Sequence, residues 1–146
     1  MPCSTTNCGP HGWWLASDVD IRLTPYNLVR PDMAGWRKER AAVMPDDHPV
    51  DLRPDWVCEV VYTSHAKDMG YKRGLYHRMG VHHYWILDLK GNVLLVFRRH
   101  EVGYIHVDTA TPKDQARLEP FDAVELKVWE LFGLEDPPED TPPSGQ

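Results

Sequence analysis

The sequence predicts an α/β (α+β) domain in which a mixed β-sheet carries one main helix between its third and fourth strands. Three observations predict it. The apolar run Trp56-Val57-Cys58-Glu59-Val60-Val61, bounded by Pro54 and by Thr63-Ser64, has the length and β-branched content of a buried strand. Residues Ala66 to Met79 then repeat at the helical period and stop at Gly80. Strand text resumes on both sides of a turn, Lys90-Gly91-Asn92, and one helix among hairpins is the pattern of a mixed sheet.

The elements are justified in order. Met1 to Pro10 is polar and irregular, so residues 1–11 are expected to form a flexible N-terminus. A first strand is expected from Trp13 to about Leu23, and a second over Leu28 to Arg30, ending in Pro31-Asp32. Arg37 to Asp51 is polar, carries Pro45 and Pro49, and reads as a loop. The Glu59 run is the third strand. In the helix that follows, Met69, Leu75, Tyr76 and Met79 fall on one face at about 100° per residue. Lys72 projects into the middle of that face, where an ammonium needs an acidic partner or must reach out to water. Strands four to six are expected at Tyr84–Leu87, Val93–Arg98 and Tyr104–Val107. Val124, Leu126 and Val128 alternate like a strand, and Trp129 to Phe132 reads as a closing helical turn. Residues 12–134 are thus one expected domain, followed by an acidic, Pro-rich and disordered tail over 135–146.

Composition narrows the function. The 146 residues are 42% hydrophobic and carry a net charge of −6, which speaks against a general nucleic-acid coat because phosphate binding is mostly electrostatic. No apolar run approaches the roughly 18 residues of a membrane span, and no signal-peptide layout opens the chain, so the cytoplasm is the default location. Three cysteines are an odd number and argue against a disulfide framework; Cys58 reads as a small core residue.

The chemistry gathers around Glu59. A carboxylate inside an apolar strand is unfavourable by several kcal/mol unless a metal or cation neutralises it. With a side-chain period of two, Asp55, Val57, Glu59 and Val61 share one face. If the second and third strands are neighbours, Asp32 and Glu59 converge near a sheet edge. Two carboxylates, water and a substrate phosphate make a suitable Mg2+ (or Mn2+) site. Lys72, from the following helix, could orient the attacking water or stabilise developing charge.

In order, the segments Arg30-Pro31-Asp32, Pro54-Asp55-Trp56-Val57-Cys58-Glu59-Val60, Asp68-Met69-Gly70-Tyr71-Lys72-Arg73-Gly74-Leu75-Tyr76 and Gly80-Val81-His82-His83-Tyr84-Trp85-Ile86-Leu87-Asp88 resemble the Uma-type restriction endonuclease family, formerly a domain of unknown function. That family is assigned to the PD-(D/E)xK superfamily, and the resemblance runs from Gly12 to Leu134. It implies a restriction-endonuclease-like fold and a Mg2+-dependent endonuclease that hydrolyses DNA phosphodiesters. Asp32 would fill the "PD" position and Glu59 the "(D/E)" position. The superfamily's lysine should follow Glu59 by two residues, where this chain has Val61; Lys72 is the candidate for a displaced lysine. Val61-Tyr62-Thr63-Ser64 also departs from the Leu-Ser-Pro-Ser-like turn of relatives. Relatives carry a further N-terminal helix and acidic segment, and this helix is expected to be missing here.

Each residue also has a plainer reading. Glu59 could pair with Arg or Lys at a strand end, Asp32 could close a turn after proline, and Asp68 could hold Lys72 in a helical ion pair. Asp55 opens the strand unless it is a third carboxylate. Arg37, Lys38 and Arg40 could touch DNA phosphate or form a solvated loop. His82 and His83 point to opposite faces, and Cys3, Cys8 and His11 lack a fourth ligand for zinc. The tryptophans read as packing. The alternative to an enzyme is a degenerate, truncated nuclease fold that binds nucleic acid or a protein partner. Double-strand cutting would call for a homodimer.

Overall fold

The computed structural model describes residues 12–62 and 66–139. Its centre is a six-stranded sheet in the order β1 (Trp13–Ser17), β4 (Met33–Arg37), β5 (Trp56–Val61), β6 (His83–Asp88), β7 (Val93–His100) and β8 (Gly103–Ala110). Only β5 and β6 run parallel, and helix α1 (Ala66–Met79) forms the crossover between them, as a parallel pair requires. The expected third strand, main helix and strands four to six are all present, so the mixed α+β class holds. No helix of the described residues is long and apolar enough to cross a membrane.

The sheet is covered on both faces, which is why β5 reads as a nearly continuous apolar run rather than an alternating one. On one face Leu75, Tyr76 and Val81 pack over Trp36, Val57 and Tyr84. A hairpin of β2 (Ile21–Thr24) and β3 (Asn27–Val29) adds Val19, Ile21 and Val29 to the same core. The opposite face stacks Trp13, Trp56, Trp85 and Phe121, with Trp56 edge-on to both Trp85 and Phe121. It is closed by the short pair β9 (Gln115–Ala116) and β10 (Leu126–Lys127) and by α2 (Val128–Leu131). Trp13, Trp36, Trp85 and Trp129 are buried, as expected of packing residues.

Helix α1 ends as its sequence predicts. Gly80 takes φ +83°, its N–H bonds the His77 carbonyl, and the Val81 N–H bonds the Tyr76 carbonyl. This closes the last turn with a left-handed residue that glycine adopts without strain.

Three boundaries differ from the sequence reading. The expected first strand breaks at Asp18, whose φ is 53°, into β1 and β2, which join different sheets. Residues Met33–Arg37, to which the sequence assigned no strand and whose last residue it placed in a loop, form β4 in the middle of the sheet. Alanine and glycine gave β4 little strand signal, yet glycine is what the packing demands: a Cβ on Gly35 would lie 2.8 Å from Leu15 and 3.1 Å from both Trp13 and Trp56. The alternation at Val124, Leu126 and Val128 yields only the two-residue β10, because Val124 is exposed and Val128 starts α2.

Candidate active site

The unread strand β4 is what brings the two carboxylates together. Its antiparallel register pairs Met33 with Cys58, so the next step outward sets Asp32 opposite Glu59, on the same face as directly opposed residues must be. Asp32 therefore stands before β4, next to β5, and not at the end of a neighbouring second strand. Its Oδ2 accepts the Val60 N–H at 2.7 Å, so the side chain continues the ladder where β4 has not yet begun.

Glu59 is 6% exposed. The Tyr76 hydroxyl donates to its Oε2 at 2.7 Å, and the Lys72 ammonium lies 3.7 Å from the same oxygen. Burial pushes the Glu59 pKa up; Tyr76 and Lys72 pull it back, while the charge and hydrogen bonding of Asp32 raise it again. The net direction is upward, as for a carboxylate with too little positive charge around it. Burial and the Glu59 charge push the Tyr76 hydroxyl up, which keeps it a donor.

Lys72, expected on the apolar stripe of α1, has its ammonium 3.7 Å from Glu59. Tyr76 is the member of this cluster that sequence reasoning missed. Its signal was a hydroxyl on the apolar face, one turn after Lys72, which once buried needs an acceptor.

The donor set fits a hard divalent cation. Glu59 Oε2 accepts from Tyr76 and Asp32 Oδ2 from the Val60 N–H, and the two carboxylates lie close enough to hydrogen-bond each other. Their mutual repulsion in a desolvated setting is what a cation relieves. Among the described residues no group of three or more His, Cys, Asp or Glu could hold a metal. The pair thus suits an ion that keeps several waters, as Mg2+ does. Cys58, on the other face, is inert: burial, then Glu59 and Asp32, push its thiol far up.

The remaining candidates lie elsewhere. Asp55 is buried at the opposite end of β5, four residues or about 13 Å from Glu59. There it meets the Arg40 guanidinium at 2.7 Å and the Arg37 N–H at 2.9 Å. Arg37 stacks on Trp13 at 4.6 Å and Lys38 on Trp14 at 4.3 Å. These three basic residues sit at the far end of β4, about 17 Å along the strand from Asp32. His82 is exposed; His83 meets Glu119 at 2.8 Å, and Glu119 in turn takes two hydrogen bonds from Arg98. Cys3, Cys8 and His11 lie outside the described residues, as do the side chains of Asp68 and Met69.

Comparison with known proteins points to one group. The family model Uma2, described as "Putative restriction endonuclease", matches residues 6–129. Among solved structures, a putative nuclease belonging to DUF820 from Anabaena variabilis superposes with a TM-score of 0.58 at 15% sequence identity. The match covers 83% of this chain and 68% of that one, and at this identity it speaks for the fold alone. No curated protein matches the chain.

Proposed function

The chain belongs to the Uma2 family of putative restriction endonucleases, and from that membership and the site geometry we propose that it hydrolyses DNA phosphodiester bonds with a divalent metal held by Asp32 and Glu59. The observation that carries this reading is the desolvated Glu59 carboxylate beside a second carboxylate, with one ammonium leaning in. When bound, Mg2+ or Mn2+ supplies an acidified water and neutralises charge developing on the phosphoryl group. Asp32 and Glu59 would hold the ion. Tyr76 and the Val60 N–H lock the two carboxylate orientations, so the pair is positioned before substrate arrives. The Lys72 ammonium orients the attacking water and faces negative charge building on the scissile phosphate.

Plasmid cleavage tests this. Wild-type protein cuts with Mg2+, and Glu59→Gln cuts about a hundredfold more slowly or not at all, the scale of losing one charge-stabilising group. Equal cutting by both proteins, or cutting in excess chelator, would sink the reading.

One observation favours a second reading, a binding module without catalysis. Val61 stands where the superfamily lysine would, half-buried against the helix-side core, so β5 itself supplies no ammonium. Calorimetric titration with Mg2+ or Mn2+ separates the two: heat that vanishes in Glu59→Gln belongs to the enzyme, and its absence to the module.

A further inference from the structure

A second feature of α1 faces away from the carboxylates. Between the outward side of the helix and the tip of the β7–β8 hairpin runs a groove of about 290 Å³, lined on the helix side by Gly70, Arg73, Gly74, His77 and Arg78. Val102, Gly103 and Tyr104 form the other wall, and among the described residues no acidic side chain lines it. Arg73 and Arg78 are exposed, and neither makes an ion pair among the described residues. The Arg78 guanidinium lies back over the floor, 3.4 Å from where a Cβ on Gly74 would stand, and a Cβ on Gly70 would meet nothing within 4 Å. His77 is fixed by its Nε2 contact with the His100 carbonyl and by edge-on packing against Tyr104.

We propose that this groove seats the phosphate backbone of a DNA strand outside the scissile position, an inference that rests on the nuclease reading of the Asp32–Glu59 site. A chain of net charge −6 repels a polyanion at long range, so binding needs a local basic surface, and the described lining of the groove is basic, with Arg73 and Arg78 and no acid. Arg73 and Arg78 are separated by about 7.5 Å along the helix axis, about two steps of the 3.4 Å phosphate rise along one strand. Gly70 leaves the helix backbone bare at that point, so a strand can approach closely. Arg73 directly follows Lys72 and is turned about 100° from it, so one helix presents an ammonium to the chemistry and a guanidinium to the strand. These are backbone contacts, which orient the duplex without reading its sequence.

Fluorescence anisotropy with a labelled DNA duplex, without divalent metal, tests it on the full chain. The double variant Arg73→Gln/Arg78→Gln is expected to bind about tenfold or more weakly and to lower the slope of log K against log salt by about two, near one per lost phosphate contact. Gly70→Leu fills the floor while improving helix propensity, so weaker binding by a variant that melts no lower than wild type supports the groove. Unchanged affinity and salt slope in both variants overturns it, as does wild-type protein that fails to bind the duplex. Tight binding of inorganic pyrophosphate, with duplex affinity untouched by the variants, would mark a compact anion site instead and also overturns it. Failure of the chemistry looks different: Glu59→Gln would then cut like wild type, whatever the groove variants do.

Discussion

Two buried carboxylates four residues apart, Asp55 just before β5 and Glu59 within it, are treated in opposite ways. Asp55 has a guanidinium in contact at 2.7 Å and a backbone N–H at 2.9 Å, so its charge is matched where it stands. Glu59 has an ammonium at 3.7 Å, one hydroxyl donor, and a second carboxylate close enough to raise its pKa further. Asp55 closes the segment after β4 onto the sheet and is part of how the chain folds. Glu59 is left short of positive charge, which folding alone does not favour. Two acids of similar burial therefore differ in kind, and the difference lies in their partners.

The largest expected effect breaks that contrast. Asp55→Asn leaves the Arg40 guanidinium without its counter-charge and is expected to lower stability by about 3 kcal/mol in urea denaturation. Glu59→Gln, measured without metal at neutral pH, is expected to leave stability unchanged or raise it by about 1 kcal/mol. Because the folded-state pKa of Glu59 is raised, its ionisation weakens the fold as pH rises through that value. The advantage of Glu59→Gln is therefore present at neutral pH and gone below the ordinary glutamate pKa of about 4.3. Equal losses in the two variants would erase the distinction between the two ends of the strand.

Next in size is Lys72→Met, which keeps the stem and removes the ammonium. Cleavage is expected to fall by about tenfold to a hundredfold, while melting shifts little because the 3.7 Å pair is loose and partly exposed. A variant that cuts normally would remove Lys72 from the chemistry.

The smallest effect concerns Glu119, a third carboxylate and a fully partnered one. The Arg98 hydrogen bonds, with help from His83, hold it down at about 2. A depressed folded-state pKa means stability that is present above the unfolded value near 4.3 and lost as pH falls from there through about 2. Glu119→Gln is therefore expected to melt below wild type at pH 7 and level with it near pH 2. A gap of constant size across that range would count against the pairing.

Much of the fold was legible because it is local. The run Trp56–Val61 and the helix Ala66–Met79 have the observed bounds, and Gly80 ends the helix through its own backbone freedom. The direction of Lys72 followed from helical geometry alone, with no knowledge of the sheet beneath it. What stayed hidden depended on neighbours. Strand β4 was unreadable because Ala34 and Gly35 carry no strand signal; the small side chains answer Trp13, Leu15 and Trp56, which come from two other strands. Tyr76 became part of the site only when packing laid its hydroxyl on Glu59.

The chain alone thus settled which residues are strange: an acid in an apolar strand and an amine in an apolar stripe. Folding settled which of them meet. Periodicity is a property of one segment and can be counted along the text. Convergence depends on sheet order and register, and it was the placing of β4 beside β5 that set Asp32 opposite Glu59 and left Asp55 about 13 Å away.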